Sequence, residues 1–464
     1  MRNQHKPTLF LLSVLGVLAV YAWPVVAAPA PVVATTLPNG ITLLTRTDHT
    51  SPRVAISLLV RAGAANETEA TAGWRRLLTD AMLRASLRSP APSTGGASAA
   101  NARTAVEMQR AAEVAGGSIG AIVSDDFIEF WGAGTSADAS QLMDLVLALA
   151  WQPRLADKDI DGARQRLLAR IDDEADVVAL RAVAALHSQL YRDARGELAA
   201  YGLPSGGTAE SLAAVTNQEI RDLHNTYFRS GRFVVSVVGD VDVKALRARL
   251  GKIATGGGPA LVATGTVPYF QPPNVAQPPL VVRQMQTPSA WVFISYSVAG
   301  FSSGDEPALR VLAAVLGESS RARLPRRLLS KSLLPDMSGA VALQAVVQFT
   351  PRRFASEIVA FAQTGTQNVD AVKNAILDEV SKLRDKPVSA SELETAKRYV
   401  RGAWAVEREG LRERAFQAAF AAAAGGAPDT TWPDRVATVT AADVQRVARK
   451  YLQAYAVALI MPEE

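Results

Sequence analysis

The sequence holds only four histidines, His5, His49, His187 and His224, and no cysteine. No two of the histidines fall within one helical turn, the spacing at which a helix presents two imidazoles to one metal ion. Thiolate metal sites, iron–sulfur clusters, disulfides and cysteine nucleophiles are excluded by composition. Ser205, within Pro204-Ser205-Gly206-Gly207-Thr208, does not match a nucleophile elbow, and no histidine is spaced to serve it. Gly256-Gly257-Gly258 lacks the Lys-Ser/Thr of a phosphate loop. Asp157, Asp159 and Asp161 alternate as in a cation loop. They lack its glycine turn and terminal glutamate, and read as the acidic first turn of a helix. Arg321, Arg323, Arg326 and Arg327 form a basic cluster that reads as a solvated helix face, with an anion or acidic-peptide site as the alternative. His187 and His224 lie on helical stretches, where they are expected to cap or pack.

The elements around these residues fill a long chain. Its 464 residues are 48% hydrophobic and 20% charged, which excludes a disordered or collagen-like chain. Net charge is +5, and residues 1–28 carry Arg2 and Lys6 with no acid, so the remainder carries only +3. That is too mild, at this size, to indicate a nucleic-acid partner. Residues 1–6 are polar and basic, residues 8–26 almost wholly apolar, and Val26-Ala27-Ala28 offers small residues for cleavage after Ala28. The pattern predicts a secretory signal over 1–28, with an uncleaved membrane anchor as the alternative. Alanine- and arginine-rich usage points to a bacterial source, and so to the periplasm.

From residue 29 the chain alternates strands and helices. Pro38-Asn39-Gly40 between two apolar runs predicts a hairpin. Val54–Gly63 is strand-like, and Trp74, Leu77, Leu78, Ala81 and Met82 mark one face of the helix that follows. Residues 118–132 alternate as a strand pair, and helices cover 138–151, 157–176 and 178–193. Residues 254–279 are rich in glycine and proline and read as a linker. The order then repeats. Helix, aromatic and apolar strand close each half, with Tyr227-Phe228 and Tyr451-Leu452 at equivalent places. This predicts an internal duplication of two α+β domains, 29–253 and 280–464.

LPNGITLL, SLLVRAGAANETEATAG before a helix, AAEVAGGSIGAIVSDDFIEF, and above all GLPSGGTAESLAAVTNQEIRDLHNTYFRSGRFVVSVVGDVD resemble the pitrilysin/insulinase family of zinc peptidases, which includes mitochondrial processing peptidase. The resemblance implies two homologous α/β-sandwich domains closing as a clamshell around a peptide-sized chamber. In the family, a helix carrying H-x-x-E-H supplies two zinc ligands and a general base, and a second helix supplies a third ligand. Here the first histidine position is Arg76, the base is Thr79, the second histidine is Asp80, and the third-ligand position is Arg170. Guanidiniums repel a dication and one aspartate cannot hold it, so the resemblance implies a chain without zinc. Because these positions converge, Asp80 is expected to be bridged by Arg76 and Arg170. The family's substrate-clamping Arg and Tyr fall on Leu329 and Asp336. Its substrate-binding strand falls on Ser118, Ile119, Gly120 and Ala121, with Gly120 in place of an asparagine. Main-chain pairing of a peptide to that edge is still allowed.

The expected function is that of the non-catalytic subunit of a periplasmic two-chain peptidase. Its partner would carry H-x-x-E-H and the zinc, and its ligands would be peptides. The alternatives are a stand-alone peptide-binding or scaffold protein and, more remotely, an active metalloendopeptidase.

Overall fold

The computed structural model describes residues 30–85, 105–192, 196–253, 278–329, 341–426 and 431–463. The expected leader and nearly all of the expected linker lie outside them. Among the described residues no helix is long and apolar enough to cross a membrane.

Two sheets form the frame. The first contains β1 (Val33–Thr36), β2 (Thr42–Thr47), β3 (Arg53–Val60), β4 (Ser118–Val123), β5 (Ile128–Thr135) and β6 (Phe233–Gly239), in the order β1-β2-β6-β3-β5-β4. The second contains β7 (Leu280–Met285), β8 (Ala290–Ala299), β9 (Gln344–Thr350), β10 (Ala355–Thr364) and β11 (Ala456–Pro462), in the order β7-β11-β8-β10-β9. Without β1, the two orders are the same, and in both the pair β2–β6 or β7–β11 is the parallel one. The repeat read from the helix–aromatic–strand endings is therefore a repeat of whole sheets. The predicted hairpin is β1–β2. Its Asn39 side chain donates to the carbonyls of Leu250 and Ile253, at 2.8 and 3.1 Å, tying the turn to a helix end late in the same half.

The helices of the first half are α1 (Trp74–Met82), α2 (Ala105–Val114), α3 (Ala139–Trp151), α4 (Asp157–Ala175), α5 (Val178–Leu190), α6 (Ala209–Ala214), α7 (Asn217–Tyr227) and α8 (Val243–Gly251). Those of the second are α9 (Glu306–Ala313, continued as a π turn over Ala314–Glu318), α10 (Arg323–Leu329), α11 (Val369–Asp385), α12 (Ala390–Glu407), α13 (Leu411–Ala423), α14 (Trp432–Thr438) and α15 (Ala441–Tyr451). Most cover one face of the sheet in their own half, giving two separate cores.

α5 and α13 do not. β6 is buried along its whole length, so it is covered on both faces, and its run of valines rather than an alternating pattern reflects this. The second cover is α13, from the other half: Ala415 meets Ala55 and Val238, and Ala419 lies in a cluster with Leu44, Leu59 and Val234. Reciprocally, Ala182, Leu186 and Leu190 of α5 lie among Phe293, Val359, Ala456 and Ile460 of the second sheet. Each half thus supplies the inner cover of the other.

Two buried carboxylates sit at equivalent points of this exchange. Ser57 donates to Glu129 at 2.8 Å, and Arg412 at the start of α13 reaches the same carboxylate at 3.1 Å. Ser295 donates to Glu357 at 2.5 Å, and His187 of α5 lies 2.9 Å from it. In each case the serine is two residues before the strand partner of the glutamate, Leu59 or Ser297.

Candidate functional site

The helix that would carry a metal motif starts at Gly73, whose φ of +88° only glycine adopts without strain. A Cβ there would also lie 2.7 Å from the backbone of Gly207. This close approach seats the Gly-Gly loop on the start of α1 and brings Ser205 to Arg76. Inside the helix, Arg75 is fully buried against Glu67, with 3.0 Å between charges, and also donates to the carbonyl of Ser124. Burial pushes the Glu67 carboxyl up, partly offset by that guanidinium.

Arg76 and Asp80 share the helix face turned to α4, as their spacing requires. Their partners differ from the expected ones. Arg76 reaches Glu174 at 3.2 Å and Ser205 at 3.3 Å, while Asp80 pairs with Arg166 at 2.9 Å. The expected bridge of Asp80 by Arg76 and Arg170 does not form. α1 and α4 are instead joined by two separate crossed pairs, because α4 offers a glutamate one turn after Arg170 and an arginine one turn before it. Arg170 itself is exposed. Thr79 is buried, and its hydroxyl finds no hydrogen-bond partner among the described residues.

The donor chemistry at these four positions does not fit zinc. Two positions are guanidiniums, one is a buried hydroxyl, and the single carboxylate already neutralises an arginine. Among the described residues no cluster of three His, Asp or Glu side chains is placed to hold a metal.

Among the described residues, the strand next to this helix keeps a free edge. Ser118, Ile119, Gly120 and Ala121 open β4, the outermost strand of the first sheet, paired only to β5. Gly120 has a local cause: a Cβ there would lie 2.9 Å from the indole of Trp131, its partner on β5. The Arg412 guanidinium lies 4.6 Å from the centre of that indole. The position of the missing asparagine side chain is thus taken by an aromatic ring.

In the second half, Leu329 is the exposed last residue of α10, and Asp336 lies outside the described residues. Three of the four clustered arginines, Arg323, Arg326 and Arg327, are paired. Arg323 meets Glu392 at 3.0 Å, and Arg327 meets Glu379 at 2.8 Å and also Asp378. Against the upward push of burial, Arg323 and Ser389 draw Glu392 down to about 2. Asp157 is joined by Arg221 and Asn217, as an acidic first turn allows. His224 lies 3.1 Å from the last-turn carbonyl of Ala150, a capping role, and His187 is in the ionic cluster between the halves.

One carboxyl in this half titrates near neutrality. Burial raises Glu318 to about 7, with Arg310 opposing and Glu407 adding to the shift. A folded-state value above the unfolded one means stability that is full below pH 4.5 and is lost as pH rises through 7. Glu318→Gln is expected to leave the melting temperature unchanged at pH 4 and to stabilise by roughly 1–2 kcal/mol at pH 8. Equal melting shifts at the two pH values would contradict this.

Two family models match the chain. "Insulinase (Peptidase family M16)" covers residues 42–202, and "Peptidase M16 inactive domain" covers residues 214–400. The chain belongs to the insulinase family. Its similarity to individual members of that family is distant. An uncharacterized zinc protease of Mycobacterium leprae is 24% identical over 309 residues, 64% of this chain and 63% of the relative. The chain therefore spans less than two thirds of that protein. A probable mitochondrial-processing peptidase subunit beta of Arabidopsis thaliana is 19% identical over 90% of this chain and 76% of its own. Among solved structures, a protease from Helicobacter pylori superposes with a TM-score of 0.79 at 18% identity, over 94% of this chain and all of that one. A peptidase M16 inactive domain from Pseudomonas fluorescens gives 0.78 at 16%, over 93% and 98%. These structures share the two-domain fold along nearly the whole chain. This insulinase-family chain thus keeps the two-domain scaffold.

Proposed function

We propose that this chain is the non-catalytic, peptide-holding subunit of a two-chain zinc peptidase in the periplasm. The partner would be an insulinase-family chain with an intact H-x-x-E-H helix, and zinc would reside there alone. One observation carries the reading: the helices that would hold the metal are closed by two ion pairs, while the free edge of β4 beside them is kept. A chain that had lost every role would have no need of an unpaired edge strand, which is a liability in solution. The mitochondrial-processing peptidase relatives from Arabidopsis thaliana and Lentinula edodes are themselves beta subunits. The export pattern of residues 1–28 supports the location.

The test is co-purification from periplasm, followed by peptidase assay of the chain alone and with its partner. The expected result is no turnover by the chain alone and a gain in rate or affinity when it is added to the catalytic chain. Peptide cleavage by the isolated polypeptide would overturn the proposal. Elemental analysis gives a second check. Purified chain is expected to hold far less than one zinc per molecule after dialysis, and a stoichiometric ion would contradict the ligand-chemistry argument.

A further inference from the structure

Three arginines meet where the two halves join, with no acid among them. Arg61 follows β3 and Arg232 precedes β6, so the register that pairs Val60 with Phe233 sets them side by side. The Arg61 backbone N–H donates to the Arg232 carbonyl at 3.2 Å, and the Arg232 guanidinium donates to the Arg61 carbonyl at 2.9 Å. The third, Arg353, comes from the β9–β10 turn of the other half. Asp126, in the β4–β5 turn, accepts its backbone N–H at 2.8 Å. Gly63, two residues after Arg61, lies against that same turn, where a Cβ would be 2.6 Å from the Asp126 carbonyl oxygen. All three arginines are half-buried. Burial lowers Arg61, and Arg353 and Arg232 lower it further. Burial also lowers Arg232, with Tyr227 opposing and Arg229 and Arg353 adding to the shift. Among the described residues no carboxylate lies within ion-pair distance of any of the three. Asp126 itself is taken by Tyr201 and by the Arg353 backbone. A second observation is independent of charge: the Arg232 Nε–H is buried and has no hydrogen-bond partner among the described residues.

We propose that Arg61, Arg232 and Arg353 bind a small multivalent oxyanion of the phosphate class between the two halves. Holding like charges together in a half-buried place is unfavourable, and an anion bound among them offsets that cost. A guanidinium fork matches two oxygens of a carboxylate or a phosphate. One carboxylate would leave two of the three charges uncompensated. A phosphate group carries close to two negative charges near neutral pH and offers at least three acceptor oxygens. The unpartnered Nε–H of Arg232 is a donor for one of them. The Arg232 and Arg353 guanidiniums rest on the rings of Tyr227 and Phe354, each 4.7 Å from the ring centre, which limits their freedom before a ligand arrives. Because the ligand touches both halves, binding also ties them together.

Calorimetric titration of inorganic phosphate into the full chain is expected to show one site per chain, with a Kd of about 0.1–1 mM. At about twentyfold above Kd, phosphate should raise the melting temperature by about 2 °C over sodium chloride of equal ionic strength, and sodium acetate should not. Arg61→Gln and Arg353→Gln should each weaken phosphate by roughly tenfold or more, the loss of a charge-assisted hydrogen bond, and cut the melting shift to less than half. In phosphate-free buffer neither variant should melt below the native chain, since each removes one of three like charges. Arg398→Gln, at an exposed position on α12, should bind phosphate as the native chain does. A general salting-out effect would persist in both site variants. A melting shift matched by chloride or acetate, one that persists in Arg61→Gln and Arg353→Gln, or no saturable phosphate binding by the native chain overturns the proposal.

Discussion

Arg352→Met is expected to destabilise the protein by about 3–5 kcal/mol, the cost of breaking a buried ion pair from one side. Arg352 lies at the turn between β9 and β10 and is only 6% exposed. Its guanidinium donates at 2.8 Å to Asp125, in the β4–β5 turn of the other half, and at 2.8 Å to Glu357. His187 of α5 and Tyr191, just after its end, lie 3.3 and 3.2 Å from it. Beside it, Asp126 accepts from the Arg353 backbone N–H at 2.8 Å and from Tyr201 at 2.5 Å. Two hairpin tips, Asp-Asp and Arg-Arg, thus meet between the halves.

Burial pulls Glu357 upward, but His187 and Arg352 outweigh it and hold the carboxyl well below its usual range. The same balance, with Arg352 as the main charge, lowers Asp125. Folded-state values below the unfolded ones mean stability present above about pH 4.5 and lost as pH falls below it. In Arg352→Met the two carboxylates are left in a poorly solvated site. Chemical denaturation at pH 7 measures the loss. Adding Glu357→Gln to Arg352→Met should recover part of it by removing one uncompensated charge. A loss under 1 kcal/mol, or no recovery in the double variant, would show that solvent reaches the cluster.

Ala419→Phe is expected to destabilise by at least 1–3 kcal/mol, the usual cost of overpacking a filled core. Ala419 is fully buried, and its neighbours are the inward side chains Leu44, Leu59 and Val234 of the first sheet. A phenyl ring has no cavity to enter and must lift α13 from β3 and β6. Gln417 lies on the same helix but is only partly buried, so Gln417→Phe is the matched control with a small expected effect. Because α13 belongs to the second half, the lesion loosens the joint between halves as well as one core. Hydrogen exchange should therefore rise in β3 and β6 together with α13. Exchange confined to α13 would mean that the first sheet does not depend on this cover.

Much of the architecture was legible in the residues. The hairpin at Asn39-Gly40, the strand pair from Ser118 to Gly132 and the matched endings at Tyr227 and Tyr451 follow from local periodicity and turn chemistry. Those act over a few residues. The expectation that Arg76, Thr79, Asp80 and Arg170 hold no zinc likewise came from residue type, because ligand chemistry depends on residue type more than on exact placement.

What tertiary structure decided were the partners. Arg76 and Asp80 are four apart on α1, which suggests an ion pair with each other or a shared bridge. Their actual partners, Glu174 and Arg166, were fixed by the rotation of α4 against α1, on which sequence spacing is silent. Likewise, the apolar runs of β3 and β6 require cover on both faces, and Ala415 and Ala419 mark a helix made to lie close to a sheet. Nothing in either pattern says that the helix comes from the other half of the chain. Burial is a demand that any apolar surface within reach can meet, so a residue's need for cover is written locally while the identity of the cover is settled only when both halves fold together.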